Sequence, residues 1–436
     1  MRASEIRELI RPKPVELDAT RRRLSACHDV ADLRAMGRRL IPRPVFDYVD
    51  GGADEELSLR ANTRAFQRFR FQPRTLVNVS EADTSTAFLG SVVPLPLALA
   101  PTGYTRMMHP GGEIAAARAA QQHGLPYTLS TMATTTIEAV AEALSCRPAG
   151  PDRPPGSCRP AGPDRPPGSC RPAGPDRPPG QPDLWFQLYI LRDSGLNKEL
   201  VDRAAAAKYR VLVVTVDCFV TGHRTRDRRN GLVIPPELTL STLASIASKP
   251  GYWTRMLRSP AIDFANFAGH DVVTIEGTGA LFNPAITWDD IADLRARWPG
   301  RLIVKGPLGP SDARRAVSAG ADGVQLSNHG GRQLDRAVPP VETIAAVREA
   351  VGPEVSVLVD SGIRHGSDIA VALALGADAC AVGRAYLYGL MAGGEAGVNK
   401  ALDILAAQFK RTMQLLGVRS VAELRELGSS LLVGGG

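Results

Sequence analysis

The sequence predicts an α/β protein: a closed TIM (β/α)8 barrel with an N-terminal helical segment and a long insertion after the fourth strand. Three observations support this fold class. Eight short apolar runs recur along the chain, a helical pattern follows each run, and polar residues stand where each run ends. Apolar strands that alternate with helices form parallel sheets covered on their outer face, and eight such units close a barrel.

The competing arrangement is an open, doubly wound sheet. That fold commonly carries a Gly-x-Gly-x-x-Gly loop after its first strand, but here Pro101, Thr102 and Gly103 follow the first apolar run. The different loop weakens a dinucleotide-binding function and favours the barrel.

The predicted strands share short runs of mainly apolar residues. They are Leu95–Ala100, Tyr127–Leu129, Leu184–Leu188, Val211–Val216, Leu302–Val304, Gly323–Leu326, Val355–Val359 and Ala379–Val382. The predicted helices share apolar residues spaced three and four apart. They are Gly112–His123, Thr136–Leu144, Leu196–Ala207, Trp288–Arg297, Ser311–Ala319, Val341–Val351, Ser367–Leu375 and Gly397–Leu416.

We predict a barrel domain over residues 29–416. It is preceded by a polar, basic N-terminal arm, residues 1–28, in which Met1–Ala26 is expected to be extended. Asp29–Arg39 then has helical spacing. Residues 417–436 are interpreted as a C-terminal tail.

The chain has 436 residues, a formal net charge of +7 and 44% hydrophobic residues, enough for a large core. Residues 145–180 are three copies of Ser-Cys-Arg-Pro-Ala-Gly-Pro-Asp-Arg-Pro-Pro-Gly, with 12 of the 34 prolines and +3 of the charge. Such a composition does not form a packed core, so we interpret this insert as a tolerated surface insertion. No basic patch interleaved with aromatic residues is present, and we predict no nucleic-acid partner.

Cysteine usage predicts neither a metal site nor a disulfide framework. Three of the six cysteines, Cys146, Cys158 and Cys170, lie in the repeats, and the other three form no Cys-x-x-Cys pair. No run approaches the roughly 20 apolar residues that span a bilayer, and no signal peptide is recognisable. We therefore expect a cytoplasmic protein, with peripheral contact at the inner face of the cell membrane as an open alternative.

A second insertion, residues 219–286, is too long for a plain strand-to-helix loop. Its middle, Leu238–Phe267, mixes apolar and aromatic side chains such as Trp253 with basic ones such as Arg255 and Arg258. Such a segment can dock at a membrane interface or form a lid over the barrel mouth, and the sequence leaves both interpretations open.

The stretch Ser327–Asp335 reads Ser-Asn-His-Gly-Gly-Arg-Gln-Leu-Asp and directly follows the sixth predicted strand. Its two glycines allow a tight turn that leaves His329 and Arg332 at the end of the strand. An imidazole can take a proton near neutral pH, and a guanidinium can hold a carboxylate with two parallel hydrogen bonds. A lone His is usually structural, but this pairing suits an enzyme acting on a small 2-hydroxy or 2-amino acid.

Polar residues and glycines also end the other predicted strands, where the active site of such a barrel lies. They are Pro101, Thr102, Gly103, Ser130, Gln187, Tyr189, Thr215, Asp217, Lys305, Ser327, Asp360, Gly362, Arg364, Gly383 and Arg384. The last two loops are the usual phosphate site of the fold. There, Arg364 and Arg384 can pair with a phosphate, and Gly362 and Gly383 allow close backbone approach. One phosphate site without a dinucleotide loop indicates flavin mononucleotide, FMN, as the cofactor.

At these residues the sequence resembles the FMN-dependent family that oxidises 2-hydroxy acids, which includes glycolate oxidase, mandelate dehydrogenase and bacterial L-lactate dehydrogenase. The stretch from Ser327 to Asp335 is close to the family signature, and the likeness runs from about Asp29 to Leu416, apart from the repeats. The resemblance implies the barrel fold, bound FMN and a small 2-hydroxy acid as substrate.

The resemblance also implies roles for individual residues. His329 would be the active-site base, and Asp217 would pair with its imidazolium. Lys305 would stabilise the reduced flavin. Whether hydrogen leaves the substrate as a hydride or as a proton is left open by the sequence, but in both cases His329 must start neutral.

Four further residues would hold the substrate by the same resemblance. Arg332 and Arg224 would bind its carboxylate, and Tyr48 would donate a hydrogen bond to it. Tyr189 would contact the hydroxyl or the carboxylate. From the residues alone, a position in the hydrophobic core explains Tyr48 as well as a position in the substrate site does.

Two departures from the common family pattern refine the expected function. Gly103 stands where many oxidases carry Ala, which resembles mandelate dehydrogenase and favours a quinone or cytochrome acceptor. Met132 stands where glycolate oxidase has a bulky aromatic residue, which argues against glycolate. The expected reaction is L-lactate to pyruvate, in a homotetramer by analogy with the family. Alternatives are an oxygen-using oxidase, a mandelate-type dehydrogenase, a different FMN barrel enzyme such as an isomerase, and a non-catalytic flavin-binding sensor.

Overall fold

The structure is a computed structural model that describes residues 16–145, 182–231, 244, 247–267 and 280–434. Eight parallel strands close a barrel, which confirms the predicted fold class and rules out the open sheet. In chain order the strands are β1 (Leu97–Thr102), β2 (Tyr127–Ser130), β3 (Leu184–Tyr189), β4 (Val211–Thr215), β5 (Arg301–Gly306), β6 (Gly323–Leu326), β7 (Ser356–Val359) and β8 (Ala379–Val382). The barrel closes where β8 pairs with β1, with Cys380 opposite Leu97.

Inward-facing side chains change character along the barrel axis. Because side chains alternate between the two faces of a strand, residues two apart share the interior. Four strands place an apolar inward residue first and a polar one next: Trp185 then Gln187, Val213 then Thr215, Ile303 then Lys305, and Leu358 then Asp360. The amino end of the barrel is therefore a packed apolar plug, and the carboxyl end is a buried polar floor.

A short hairpin, Thr86–Phe88 and Ser91–Val93, covers the amino end of the barrel. Phe88 meets Trp185 edge to face, with ring centroids 6.1 Å apart. Aromatic pairs prefer this geometry. The hairpin therefore packs against the apolar inward residues at the bottom of the barrel.

Helices surround the barrel and pack on the outward-facing side chains of the strands. In chain order they are α1 (Ala19–Ser25), α2 (Val30–Leu40), α3 (Arg43–Asp50), α4 (Leu57–Gln67), α5 (Thr105–Met108), α6 (Gly112–Gln122), α7 (Ile137–Ser145), α8 (Ser194–Ala206), α9 (Thr225–Arg229), α10 (Pro250–Leu257), α11 (Trp288–Arg297), α12 (Pro310–Ser318), α13 (Ile344–Val351), α14 (Gly366–Ala374), α15 (Arg384–Leu415) and α16 (Val421–Leu427). Each strand–helix pair predicted from the sequence is present, with ends shifted by one to four residues in most elements.

The N-terminal arm is not wholly extended, so the prediction for Met1–Ala26 was wrong in its second half. Helix α1 begins after Asp18, whose carboxylate accepts hydrogen bonds from the backbone N–H groups of Thr20 and Arg21. Such a cap pairs backbone N–H groups that lack a partner within the first turn of the helix. Leu24 of α1 is buried against the body of the protein, and the arm before residue 16 lies outside the described residues.

Helix α15 begins directly after β8, thirteen residues before the predicted start at Gly397. Gly393 and Gly394 interrupt it, and Gly394 has φ = 60°, where a Cβ would come within 2.6 Å of the His109 ring. Only glycine fits this kink. The low helix propensity of these glycines hid the first half of α15 from the sequence.

The segment after residue 416 packs against the barrel domain. Val421 and Leu424 of α16 are buried, and Leu432–Val433 pairs with the two-residue strand Arg70–Phe71. The segment predicted as a tail therefore contributes to the fold through residue 434.

The two insertions are described unevenly. The repeats lie outside the described residues, between the end of α7 at Ser145 and the start of β3. Of the second insertion, 219–231, 247–267 and 280–286 are described, together with residue 244. Among the helices of the described residues, none has the length and apolarity needed to cross a bilayer.

Candidate active site

A cleft lies at the carboxyl mouth of the barrel and encloses about 1290 Å³, including the space at its open end. Most of the predicted site residues line it: Tyr48, Pro101, Thr102, Gly103, Ser130, Tyr189, Arg224, Lys305, His329, Arg332, Asp360, Gly362, Arg364, Gly383 and Arg384. Four others lie beneath its surface as buried support: Gln187, Thr215, Asp217 and Ser327. The structure thus brings all the predicted site residues to one end of the barrel.

A left-handed turn carries the candidate base. His329, Gly330 and Gly331 follow one another with φ of 57°, 65° and 72°. A Cβ on Gly331 would lie 2.5 Å from the backbone nitrogen of Leu59, so the turn presses directly on α4. Asp335, at the end of the motif, accepts hydrogen bonds from backbone N–H groups at the start of α4, including that of Ser58 at 2.8 Å. The turn is therefore anchored at both ends, which fixes the position of the imidazole.

His329 pairs directly with Asp217, which follows β4. Nδ1 of the imidazole lies 3.0 Å from Oδ1 of the carboxylate. Burial opposes ionisation of Asp217, but the neighbouring charges of His329 and Lys305 outweigh it and hold its pKa at about 2. Burial lowers the pKa of His329, against the opposing pull of Asp217. At neutral pH the pair is thus a neutral imidazole held by an ionised carboxylate.

The other imidazole nitrogen points toward the cleft. Nε2 of His329 lies 3.5 Å from the hydroxyl of Tyr189, the last residue of β3. Because Nδ1 faces Asp217, its hydrogen bond to the carboxylate places the proton on Nδ1 and leaves the Nε2 lone pair free to accept one. The arrangement is that of a general base oriented by a carboxylate.

Two guanidinium groups flank Tyr48 at the end of α3. Their Cζ atoms lie 4.9 Å (Arg332) and 5.8 Å (Arg224) from the centre of the Tyr48 ring. Arg332 also donates to the backbone carbonyl of Tyr48, and Arg224 pairs with Asp227 at 2.8 Å. Each guanidinium retains further N–H donors that can bind a carboxylate in the cleft.

A second buried carboxylate follows the neighbouring strand β7. Asp360 accepts hydrogen bonds from Gln325 (2.7 Å), Ser327 (2.6 Å) and Ser361 (2.6 Å), and Nζ of Lys305 lies 3.9 Å away. Burial opposes the charge on Lys305, but Asp360 and Asp217 outweigh it and raise the pKa of the ammonium above its ordinary value. Lys305 is therefore a fixed positive charge in the wall of the cleft.

The floor of the cleft offers unused hydrogen-bonding groups. Nε2 of Gln187 and Oγ1 of Thr215 are buried and have no hydrogen-bond partner among the described residues. A buried polar atom left unpaired costs free energy. The heteroatom-rich edge of a flavin ring provides the missing partners, and Lys305 lies in the same wall. These groups fit the isoalloxazine ring of FMN.

The loops after β7 and β8 fit the phosphate end of FMN. Gly362 has φ = 108°, and a Cβ there would lie 2.3 Å from the backbone oxygen of Asn62, so only glycine allows this loop. Arg364 lines the cleft beside it. A basic side chain next to exposed backbone N–H groups is a common phosphate-binding arrangement.

Arg384 makes three hydrogen bonds to backbone oxygens near the cleft. Its guanidinium donates to the carbonyl oxygens of Val49 (2.8 Å), Gly51 (2.6 Å) and Gly330 (2.8 Å). With these bonds it ties α3 to the His329 turn. Two N–H groups of the guanidinium are left over, and its pairing with a phosphate stays a prediction. Its backbone, at the start of α15, still borders the cleft.

Several residues of the site were not predicted from the sequence. Gln325 and Ser361 hold Asp360, and Gln325 was visible as a polar residue inside an apolar strand. Phe264 and Phe282, both in the second insertion, line the cleft, and their proximity could not be read from the sequence. Cys218 lies next to His329, 3.5 Å from Nδ1, and only its position beside Asp217 pointed to it.

The fold and the site together define a class of barrel enzymes that bind FMN and oxidise small 2-hydroxy acids. The model of the FMN-dependent dehydrogenase family matches residues 37–151 and 176–430, and the chain belongs to that family. The gap in the match lies within the proline-rich repeats. The predicted family resemblance, the enzyme class and the FMN cofactor are thereby confirmed.

Relatives of similar length support the assignment. A Mycobacterium tuberculosis protein, named provisionally as an L-lactate dehydrogenase, is 41% identical over 435 residues, which cover 98% of this chain and 97% of that protein. The L-lactate dehydrogenase of Pseudomonas aeruginosa is 37% identical over 410 residues, covering 91% of this chain and 98% of the relative.

Solved structures extend the likeness. The monotopic membrane protein (S)-mandelate dehydrogenase superposes with a TM-score of 0.82 at 35% identity, covering 94% of this chain and all of the other. A mandelate oxidase superposes with a TM-score of 0.73 at 36% identity, covering 92% of this chain and 97% of the other. The chain therefore shares both fold and family with enzymes that act on 2-hydroxy acids.

Proposed function

We propose that the protein oxidises L-lactate to pyruvate with FMN bound at the barrel mouth, and that a quinone or a cytochrome takes up the electrons. One observation carries the proposal: a neutral imidazole, oriented by Asp217, faces a cleft that also contains the free donors of Arg332 and Arg224. A base beside a carboxylate clamp is the combination that a 2-hydroxy acid requires. The names of the bacterial relatives favour lactate within this class.

The side chains account for binding and proton transfer. When bound, FMN supplies a two-electron acceptor. Arg332 and Arg224 hold the substrate carboxylate, and the hydroxyls of Tyr48 and Tyr189 hydrogen-bond to the substrate. Nε2 of His329 accepts the proton that the substrate loses, and Asp217 stabilises the resulting imidazolium. A positioned base of this kind contributes roughly 10²- to 10⁴-fold in rate.

On the cofactor side, the proposed holding groups are Gln187, Thr215, Thr102 and Ser130 for the ring, with Gly362, Arg364 and the backbone of Gly383 for the phosphate. The ammonium of Lys305 would compensate negative charge on the reduced flavin. Asp360 would act on Lys305 rather than on the substrate, because its own oxygens are occupied by Gln325, Ser327 and Ser361.

Glycine at position 103 favours an electron acceptor other than oxygen. A Cβ at this position would lie 2.9 Å from the backbone oxygen of Met132, so the residue common in oxidases would force the two strand ends apart. Glycine keeps the backbone close to the cleft at this point. We propose slow reaction with oxygen and fast reaction with a membrane quinone or a cytochrome.

We also propose peripheral contact with the membrane through the second insertion. Helix α10 leaves Leu257 82% exposed, next to the basic residues Arg255 and Arg258. Apolar and basic side chains together suit an anionic lipid surface, and one structural relative is a monotopic membrane protein. Leu257→Asp should lower the bound fraction in co-sedimentation with anionic vesicles, whereas Leu76→Asp, an exposed leucine elsewhere, should not. A homotetramer remains our proposal by analogy with the family.

A larger aromatic 2-hydroxy acid is the second candidate substrate. The wall of the cleft contains Tyr104, Met132, Phe264 and Phe282, and Phe264 meets Tyr104 edge to face at 4.5 Å between centroids. Such a wall suits an apolar substituent on the 2-hydroxy acid. The mandelate enzymes among the structural relatives point the same way.

Anaerobic photometry of the purified holoprotein tests the function. L-lactate should bleach the flavin and yield one pyruvate per flavin, with D-lactate as the matched inactive control. A soluble quinone should then restore the colour quickly and air only slowly. Rapid recovery in air with peroxide release would identify an oxidase. Bleaching by (S)-mandelate but not by L-lactate would establish the second candidate instead.

A further inference from the structure

A thiol lies against the candidate base and is not used by the proposed reaction. Sγ of Cys218 lies 3.2 Å from Oδ1 of Asp217 and 3.5 Å from Nδ1 of His329, and those two atoms are 3.0 Å apart. A thiol, an imidazole nitrogen and a carboxylate oxygen therefore form a closed triangle. Among the described residues, these three side chains are close enough together to hold one metal ion.

The triangle has the dimensions of one face of a tetrahedral zinc site. Zn²⁺ binds sulfur at about 2.3 Å and imidazole nitrogen or carboxylate oxygen at about 2.0 Å, and tetrahedral angles then place the ligand atoms roughly 3.3 to 3.5 Å apart. The three observed edges agree with these separations to within about 0.3 Å. Two of the edges would lengthen slightly, and the third would keep its length, when the cluster becomes a coordination face.

A second observation points to a cation at this place. The side chain of Asp217 is only 5% exposed, and its other oxygen, Oδ2, has no hydrogen-bond partner among the described residues. An ionised carboxylate oxygen that is buried without a donor is costly. A divalent ion supplies the missing partner. Because Cys218 and His329 line the cleft, an ion can reach the triangle from solvent, and the cleft leaves room for a water as fourth ligand.

We propose that Cys218, Asp217 and His329 form an inhibitory site for Zn²⁺ or a similar borderline-soft divalent cation. Binding releases the thiol proton to water as the sulfur–metal bond forms. It also requires the lone pair of Nδ1, so a neutral imidazole must move its proton from Nδ1 to Nε2. The ring then has no free lone pair toward the cleft. The inhibitory effect rests on the proposed role of His329 as base, whereas binding of the metal does not.

Cadmium binding tests the site directly. Cd²⁺ is titrated into the full-length holoprotein while the thiolate-to-cadmium absorption band is recorded. Because the repeat cysteines also offer thiols, the background carries Cys146→Ser, Cys158→Ser and Cys170→Ser. We expect one equivalent of Cd²⁺ to produce the band. Cys218→Ser should remove it and weaken binding by at least about 100-fold, while Cys27→Ser, a control at another buried thiol, should retain it. A band unchanged by Cys218→Ser, or no band in the background protein, would overturn the site.

A second readout tests the inhibition. Zn²⁺ should slow bleaching of the flavin by L-lactate, and Cys218→Ser should raise the Zn²⁺ concentration needed by at least about tenfold. Binding of Cd²⁺ at Cys218 without any loss of bleaching rate in Zn²⁺ would overturn the tautomer mechanism. If no 2-hydroxy acid bleaches the metal-free protein, the proposed function fails, and the cadmium band still decides whether the site exists.

Discussion

Two buried carboxylates lie at the carboxyl mouth of the barrel, and each is close to a different basic side chain. Asp217 contacts its partner His329 directly, at 3.0 Å. Asp360 stands 3.9 Å from Lys305 and is saturated by side-chain donors from Gln325 and its neighbours. In one pair the proton can move, because an imidazole titrates near neutrality. In the other the charge is permanent, because both carboxylates raise the pKa of the ammonium.

The difference shows how one barrel mouth separates two tasks. The His329 side needs a group that accepts a proton and returns it, so burial keeps the imidazole neutral and one carboxylate orients it. The Lys305 side needs a charge that does not respond to pH.

Replacing His329 removes the mobile proton acceptor. We expect His329→Ala to lower the rate of flavin bleaching by about 10²- to 10⁴-fold, with FMN content unchanged because the imidazole faces the substrate. Stopped-flow absorbance under nitrogen gives the rate, and the flavin spectrum gives the content. A variant that bleaches at near-normal rate would remove His329 from the role of base.

Replacing Lys305 removes the permanent charge and leaves the proton acceptor in place. Lys305→Met keeps the length of the side chain, and we expect bleaching to slow by about 10²- to 10³-fold and the flavin to become harder to reduce. The midpoint potential, measured by dye titration, distinguishes this variant from His329→Ala, which should leave the potential almost unaltered. Equal midpoint potentials in Lys305→Met and the wild type would show that the ammonium does not stabilise the reduced flavin.

Replacing Arg332 tests how the substrate carboxylate is bound. Arg332→Lys keeps the positive charge but loses the two-point fork, and we expect KM to rise by roughly tenfold to a hundredfold, the equivalent of about 1.5–3 kcal/mol. Arg336→Lys, on an exposed arginine four residues further on, is the matched control and should leave KM alone. An unchanged KM in Arg332→Lys would show that other groups bind the substrate carboxylate.

The smallest effect concerns the anchor of the His329 turn. Asp335→Ala removes the acceptor of the N–H groups at the start of α4, and we expect about 1 kcal/mol less free energy of unfolding with a bleaching rate within severalfold of the wild type. Hydrogen bonding lowers the pKa of Asp335 despite its partial burial, so this stability is present above the ordinary pKa and is lost only as acid protonates the folded carboxylate. Urea unfolding at pH 7 and at pH 3 measures both. Equal unfolding free energies at pH 7 would show that the turn is held by other contacts.

Much of the fold was predictable because the barrel strands are short, apolar and separated by regular helices. The sites at strand ends followed from the same pattern, since parallel strands deliver their last residues to one edge. His329 and Lys305 were found in this way. The partners of each side chain could not be predicted: Arg384 also follows a strand, and the strand-end pattern gives no sign that its guanidinium donates to three carbonyl oxygens.

Long-range contacts could not be predicted from the sequence either. Phe264 and Phe282 reach the cleft from an insertion without a regular pattern, and Cys218 gains its meaning only from the 3.5 Å distance to a residue more than a hundred positions away. The start of α15 was missed because glycines needed at its kink lower helix propensity. Local pattern identifies which residues end strands, and tertiary packing decides what each one faces.

The pH dependence of flavin bleaching shows whether His329, held by Asp217, is the proton acceptor. Burial lowers the pKa of His329 and the carboxylate of Asp217 raises it. The rate should therefore be level near neutrality and fall about tenfold per pH unit on the acid side, with a midpoint below 6.5. In Asp217→Asn that midpoint should move to still lower pH. A midpoint above 6.5, or one that stays the same in Asp217→Asn, would show that a group other than His329 accepts the proton.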